Sequence, residues 1–303
     1  MAALIQEANA KTNGDASRGT SIAIENATKA QSTTDVASGS TTAADETGSF
    51  KFFPLEAVTP AILTDREMKQ SALKWGIDTH CVFQRYRFDE RFSSDKASSF
   101  LSDFFNDPNV QGTLKTSSRA GLSRGLVGQT SSVDFEELST SVLTMDFFDR
   151  LKEGEEAIVS SSGRIRQCMP QMYDGVEGGD ELREMFLNED SEHYLLYDED
   201  EKKELIYNIL HHLVIGNGMC QPDDHIEPYF TATKAMYKDL VTVRRSKKTG
   251  KIGVTSKVFS VNSLKGGAAL FPHTDSPHNM CIIVVDEATR RLTYWSIAFV
   301  SFW

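Results

Sequence analysis

Positive charge is scarce in this chain: 32 Lys and Arg stand against 43 Asp and Glu, giving a formal net charge of -11 over 303 residues. Phosphate binding needs a basic footprint, so a general affinity for nucleic acid or anionic membranes is excluded. Cysteine is equally sparse. Cys81, Cys168, Cys220 and Cys281 lie far apart with no C-x-x-C spacing, a pattern that reads as reduced intracellular thiols. No apolar run approaches the length of a membrane span. The opening "MAALIQEANAKTNGD" turns polar after a four-residue apolar run and lacks the h-region of a secretory signal. A soluble cytoplasmic protein is the expectation.

Residues 1–49 contain no Phe, Tyr or Trp and are dominated by Ala, Ser, Thr, Gly, Asn and Gln. Such a segment buries too little surface to offset the entropy of ordering, so a disordered tail is predicted. Its acids, Glu7, Asp15, Glu25, Asp35, Asp45 and Glu46, argue against a transit peptide, which would be Arg-rich and poor in acids.

From Phe50 the composition changes. Across the whole chain 40% of residues are hydrophobic and 10% aromatic, enough for a substantial core. "SFKFFPL" reads as a strand, "TDREMKQSALKWG" as a helix with Thr64 as N-cap and Gly76 as stop, and "HCVFQRYRF" as an alternating strand. "SSDKASSFLSDFFNDP" predicts a helix with Phe100, Leu101, Phe104 and Phe105 on one face, ending before Pro108. The order over residues 50–111 is βαβα-like, and a subdomain there is one organisation within a single α+β domain spanning 50–303. Residues 112–132 are polar and Gly-rich, which predicts a flexible loop.

"MDFFDRL" is a short amphipathic segment, followed by a Gly- and Ser-rich stretch that leads into "GGDELREMFL". "DEDEKKELIYNILHHLVIGNG" predicts one helix with acids in its first turn, Gly216 as stop and a stripe of Leu205, Ile206, Ile209, Leu210, Leu213 and Val214. "IEPYFTATKAMYKDL" predicts a second, with Ile226, Tyr229, Phe230, Thr233, Met236, Tyr237 and Leu240 at helical spacing. The period then becomes two: "LVTVRR", a turn at "SKKTGK" and "IGVTSKVFSV" make one hairpin, and "CIIVVDEATRRLTYWSIAF" a second. The fold class is α+β, with helices packed on a mainly antiparallel C-terminal sheet.

Four short patterns could carry chemistry. His273-x-Asp275 is two thirds of a non-haem iron triad, yet the only later histidine, His278, sits in the same Pro-flanked loop, so the pair reads as a polar loop. His211, His212, Cys220, Asp223, Asp224 and His225 have the composition of a zinc set without its paired spacing, and adjacent helical histidines point about 100° apart. A helix C-terminus followed by an acidic cap is the simpler reading. "GLSRG" matches the nucleophile elbow at Ser123, but no buried strand precedes it and no helix follows. "GNGMCQ" has Gln221 where a dinucleotide fingerprint needs its third glycine. Short patterns alone suggest the alternative of a metal-dependent oxygenase or hydrolase. The charged feature that stands out is Arg244, Arg245, Lys247, Lys248 and Lys251, crowded at a hairpin tip on an acidic chain. It reads as a solvated turn that also discourages edge association, or as a contact for an acidic partner.

"DELREMFLNEDSEHYLLY", "CQPDDHIEPYFTATKAMYKDLVTVRR" and "KIGVTSKVFSV", with "FFNDPNV" and "MDFFDRL" earlier, closely resemble the cilia- and flagella-associated protein 300 family over roughly residues 50–295. The tail and the ending "VSFW" lie outside the resemblance. It implies a non-enzymatic cytoplasmic factor for assembling axonemal dynein arms or delivering them into cilia and flagella. The implied partners are dynein arm assembly factors, axonemal dynein subunits or the intraflagellar transport machinery. It implies no catalytic residue, metal or cofactor.

Overall fold

The first aromatic residues of the chain open the first strand, β1 (Phe52–Pro54), in a computed structural model that describes residues 49–301 apart from 119, 120, 127, 246–249 and 251. Residues 50–303 cluster as one unit, and the expected tail, Ser49 excepted, lies outside the described residues. Helices α1 (Ala61–Thr64) and α2 (Arg66–Lys74) follow. The cap of α2 is Asp65, not Thr64: its carboxylate accepts the Glu67 and Met68 N–H groups at 3.0 and 3.1 Å, while Thr64 closes the preceding turn. Gly76 ends the segment at φ 69°.

Strand β2 (Cys81–Phe88) leads to α3 (Ala97–Asn106), which buries Phe100, Leu101, Phe104 and Phe105 as expected. Asp107 then caps a further short helix, α4 (Pro108–Thr113). Part of the predicted 112–132 loop is a hairpin of β3 (Lys115–Ser118) and β4 (Gly121–Arg124), in which the Thr116 and Ser123 hydroxyls meet at 3.2 Å. Cross-strand hydroxyl pairs of this kind give a polar ribbon the partners that an apolar pattern would otherwise supply. Strand β5 (Ser132–Leu138) and a 3₁₀ segment (Met145–Lys152) come next, then the hairpin of β6 (Gln167–Tyr173) and β7 (Val176–Asp180), then α5 (Glu181–Leu187).

The first of the two long predicted helices is divided into α6 (Glu199–Lys202) and α7 (Leu205–Ile215). Glu204 causes the break. It is buried, its carboxylate accepts from the Ser139 and Ser141 hydroxyls and the Val142 N–H, and Leu205 N–H donates to Ser139 O at 2.8 Å. All six stripe residues of α7 are buried. Helix α8 (Glu227–Leu240) buries its predicted face too, with Phe230 partly exposed and stacked on Phe148 at 5.5 Å. A small ribbon of β8 (Val243–Arg245) and β9 (Ile252–Val254) follows. "IGVTSKVFSV" is two strands, since Ser256 turns aside to accept the Thr242 N–H before β10 (Lys257–Lys265). The last hairpin, β11 (Met280–Asp286) with β12 (Arg291–Ile297), is as predicted.

One antiparallel sheet organises these elements in the order β1-β2-β12-β11-β10-β5. The strands of 50–111 therefore close no sheet of their own but form one flank of this one. Side chains alternate along β11 and β12: Ile282, Val284, Trp295 and Ile297 enter a core with α7 and α8, whereas Ile283, Val285, Leu292 and Tyr294 enter another with α3 and α4. Helices thus cover both faces, which is why "CIIVV" is continuously apolar rather than alternating. On the α3 side, Phe100 makes edge contacts with Phe50, Phe52, Phe88 and Phe92 at 4.8 to 5.1 Å. The open edge of β1 is closed by side chains: Asp107 accepts Phe52 N–H at 3.0 Å, Asp103 accepts Phe50 N–H at 2.9 Å, and Asn109 donates to Phe52 O at 2.9 Å. Among the described residues no helix is long and apolar enough to cross a membrane.

Candidate functional site

The basic ribbon rises from a fixed base. Thr242 N–H donates to Ser256 Oγ at 3.0 Å, and the Thr242 hydroxyl donates to Asp286 Oδ2 at 2.9 Å. The other oxygen of Asp286 accepts the Ala288 and Thr289 N–H groups of the β11–β12 turn. Burial pulls the Asp286 pKa upward, but hydrogen bonds from Thr289 and Thr242 outweigh it and leave the carboxyl below its ordinary range. Arg244 and Arg245 stand exposed on β8, with Gly253 opposite Arg244. Lys247, Lys248 and Lys251 lie outside the described residues.

The residues of the short patterns divide between exposed positions and structural posts. His273 and Asp275 are exposed in the loop before β11, while His278 turns inward, bonds Gly216 O through Nδ1 at 3.0 Å and stacks on Phe299. His211 and His212 are half-buried with ring centroids 4.9 Å apart. Burial lowers the pKa of His211 to about 4, and burial with the charges of His211 and His278 takes His212 well below its usual range. Both are neutral near pH 7. Asp223 pairs with Lys74 and accepts Trp75 Nε1–H at 2.9 Å, and His225 is exposed beside Arg164. Among the described residues no group of three His, Cys, Asp or Glu side chains is placed to hold a metal ion. Ser123 lies within β4 and donates to Thr116 O, away from any helix start.

A family model described as "Cilia- and flagella-associated protein 300" matches residues 49–297. The chain belongs to that family. A cilia- and flagella-associated protein 300 from Chlamydomonas reinhardtii is 33% identical over 257 residues, covering 83% of this chain and 99% of that protein. One from Paramecium tetraurelia is 28% identical over 255 residues, covering 84% and 95%. No solved structure matches. The family match runs from before β1 to the end of β12, so the membership concerns the fold just described and the base of the ribbon alike.

Within this family member, sequence reasoning missed a groove of about 500 Å³ between the β6–β7 hairpin and the turn after α7. Its wall holds a buried ion pair, Arg183 Nη1 to Asp180 Oδ2 at 3.0 Å. Arg183 also donates to Val214 O at 2.7 Å and to Cys220 Sγ at 3.0 Å, tying α5 to the end of α7. Asp180 is the N-cap of α5, accepting Arg183 N–H at 2.9 Å. The signal was present in "GGDELREM": an acidic cap three residues before an arginine on an otherwise apolar helix face.

Proposed function

We propose that the protein is a non-enzymatic factor that assembles axonemal dynein arms or delivers them into motile cilia and flagella, working in the cytoplasm and at the axoneme. The observation that carries this reading is the family match over residues 49–297. Supporting it, three of the side chains in the metal-like patterns are engaged in the fold: His278 with Gly216 O and Phe299, Asp223 with Lys74 and Trp75, Cys220 with Arg183. Its partners are dynein arm assembly factors, axonemal dynein subunits or the intraflagellar transport machinery. The basic ribbon, Arg244 and Arg245 with Lys247, Lys248 and Lys251, is the contact for an acidic surface on one of them. Clustered cations speed encounter with such a surface even on a chain of net charge -11, and the effect weakens with salt.

Electron microscopy of axonemes from cells lacking the protein tests the reading: dynein arms should be missing or depleted, and a full set of arms refutes it. The ribbon is tested separately by reversing Arg245, Lys247 and Lys248 to Glu. A folded triple variant that restores arms as well as the parent removes the ribbon from the contact surface and leaves the broader reading standing.

A further inference from the structure

The corner of the sheet formed by β1, β2 and β12 carries a charge arrangement that works against the sheet itself. The register sets Phe53 opposite Arg87, and Arg87 opposite Arg291. Because Phe52, Tyr86, Phe88 and Leu292 enter the α3 core, alternation puts Phe53, Arg85, Arg87 and Arg291 on the opposite face. That face is covered by α8 only as far as its last turn, where Arg85 donates to Asp239 O at 3.1 Å. Arg87 lies beyond it and is exposed. Like charges directly opposite on neighbouring strands repel.

Local carboxylates relieve little of this. Among the described residues Arg87 has no ion-pair partner, and its guanidinium lies 5.7 Å from the Phe53 ring centroid. Arg291 comes within 3.9 Å of Asp286, but that carboxylate already accepts from Thr242, Ala288 and Thr289. Arg85 keeps a buried Nε without a partner among the described residues. Burial and then the nearby Arg291 charge lower its pKa, with Asp239 opposing. Beside the arginines, Phe53, Leu55 and Val58 are 39%, 43% and 39% exposed, and Leu55 N–H bonds Arg85 O, so the apolar segment runs along the same flank. Arginine beside an exposed aromatic ring is a pairing enriched at protein interfaces, and the neighbouring aliphatic side chains add apolar area to it.

We propose that this corner is a docking surface for an acidic segment of another protein, whose carboxylates engage Arg87 and Arg291 and whose apolar side chains cover Phe53, Leu55 and Val58. The planar guanidinium suits a carboxylate bidentately, and a desolvated partner carboxylate removes the repulsion between the two strands. The apolar trio asks for apolar anchors that a polyphosphate lacks, and a net charge of -11 disfavours nucleic acid and anionic bilayers. Residues 1–49 supply acids but no aromatic anchor, which favours a second protein over the chain's own tail. The inference stands apart from the ciliary reading and does not use the ribbon tip.

The test is fluorescence anisotropy on the full chain, using as probe a short labelled peptide that alternates Glu with Leu and Phe. Poly-Glu of equal length, single-stranded DNA and phosphatidylserine vesicles are the competitors. The alternating peptide should bind best and weaken with salt. Arg87→Glu should reduce affinity about tenfold or more, since it removes one cation and pairs the other across the strands. The same variant should melt no lower than the parent, because a repulsive cross-strand pair becomes attractive. Arg87→Lys should keep part of the binding, and Leu55→Ser should lose part of it. Unchanged binding by Arg87→Glu overturns the proposal. So does a melting temperature several degrees lower for that variant, which would make the arginines structural, or equal binding by poly-Glu, DNA or vesicles.

Discussion

Removing the Asp180 side chain should destabilise this fold far more than an ordinary cap loss. Asp180 and Arg183 are 4% and 3% exposed, so their charges meet in a poorly solvated place. Asp180→Ala loses the N-cap of α5, worth about 1 kcal/mol, and leaves the Arg183 guanidinium buried without its counter-charge, which costs about 3 to 5 kcal/mol. The sum, about 4 to 6 kcal/mol, is comparable to the whole stability of many domains. Arg183→Met should cost about 3 kcal/mol, because the carboxylate keeps the N–H of residue 183 but loses its cation. The double variant has no stranded charge. It should lose the cap and the donors to Val214 O and Cys220 Sγ, about 2 to 3 kcal/mol together, and so be more stable than Asp180→Ala alone. Urea unfolding of the four proteins measures the cycle. If Asp180→Ala costs no more than about 1 kcal/mol, or if the two changes simply add, the pair is not the buried couple that its geometry indicates.

Phe100→Ala should destabilise by about 3 to 5 kcal/mol, since four rings close on Phe100, and Ile209→Ala by about 2 to 5 kcal/mol, while the partly exposed Phe230 should fall at the low end of that range; denaturation midpoints check all three. Gly216→Ala should lower the melting temperature, because a Cβ there would lie 2.5 Å from Cys220 Sγ and 2.8 Å from Trp75 O on a backbone at φ 61°, and an unchanged melt would contradict that crowding. His80, His211, His212 and His278 all have folded-state pKa values below the usual 6.5, His211 at about 4, with burial as the largest cause. The unfolded chain binds more protons between those values, so this contribution is complete above about pH 6.5 and is lost as pH falls toward 4. An NMR titration placing His211 near 6.5, or equal urea midpoints at pH 7 and 5, would refute it.

The elements most legible in the sequence were those whose instructions are local. The α7 stripe, the α8 face and the β11–β12 hairpin each carry their periodicity and turn residues within a single short window. What was not legible depends on distant partners. The chain breaks at Glu204 because Ser139 and Ser141 stand ready to receive its carboxylate, and nothing in "DEKKELIY" announces them. Thr64 reads as the cap, but the preceding turn contains it and Asp65 takes the post. The candidate sites divide in the same way. The basic ribbon is a run of charge in one stretch of sequence, whereas Arg87 and Arg291 become neighbours only through strand pairing, and Asp180 and Arg183 gain their weight only from burial.

The strand order also dictates when this protein can fold. During synthesis β1, β2 and β5 emerge early, yet β2 and β5 are joined only through β12, β11 and β10, which come latest among the described strands. A nascent chain that stops before Arg291 holds the aromatic cluster around Phe100 and the α7 and α8 stripes without β12, the strand that joins β2 to β11. Contacts between such distant segments make folding slow, and apolar surface stays uncovered while the chain waits. Translation that ends anywhere short of β12 therefore yields a client for chaperones and proteases rather than a smaller working version of the protein.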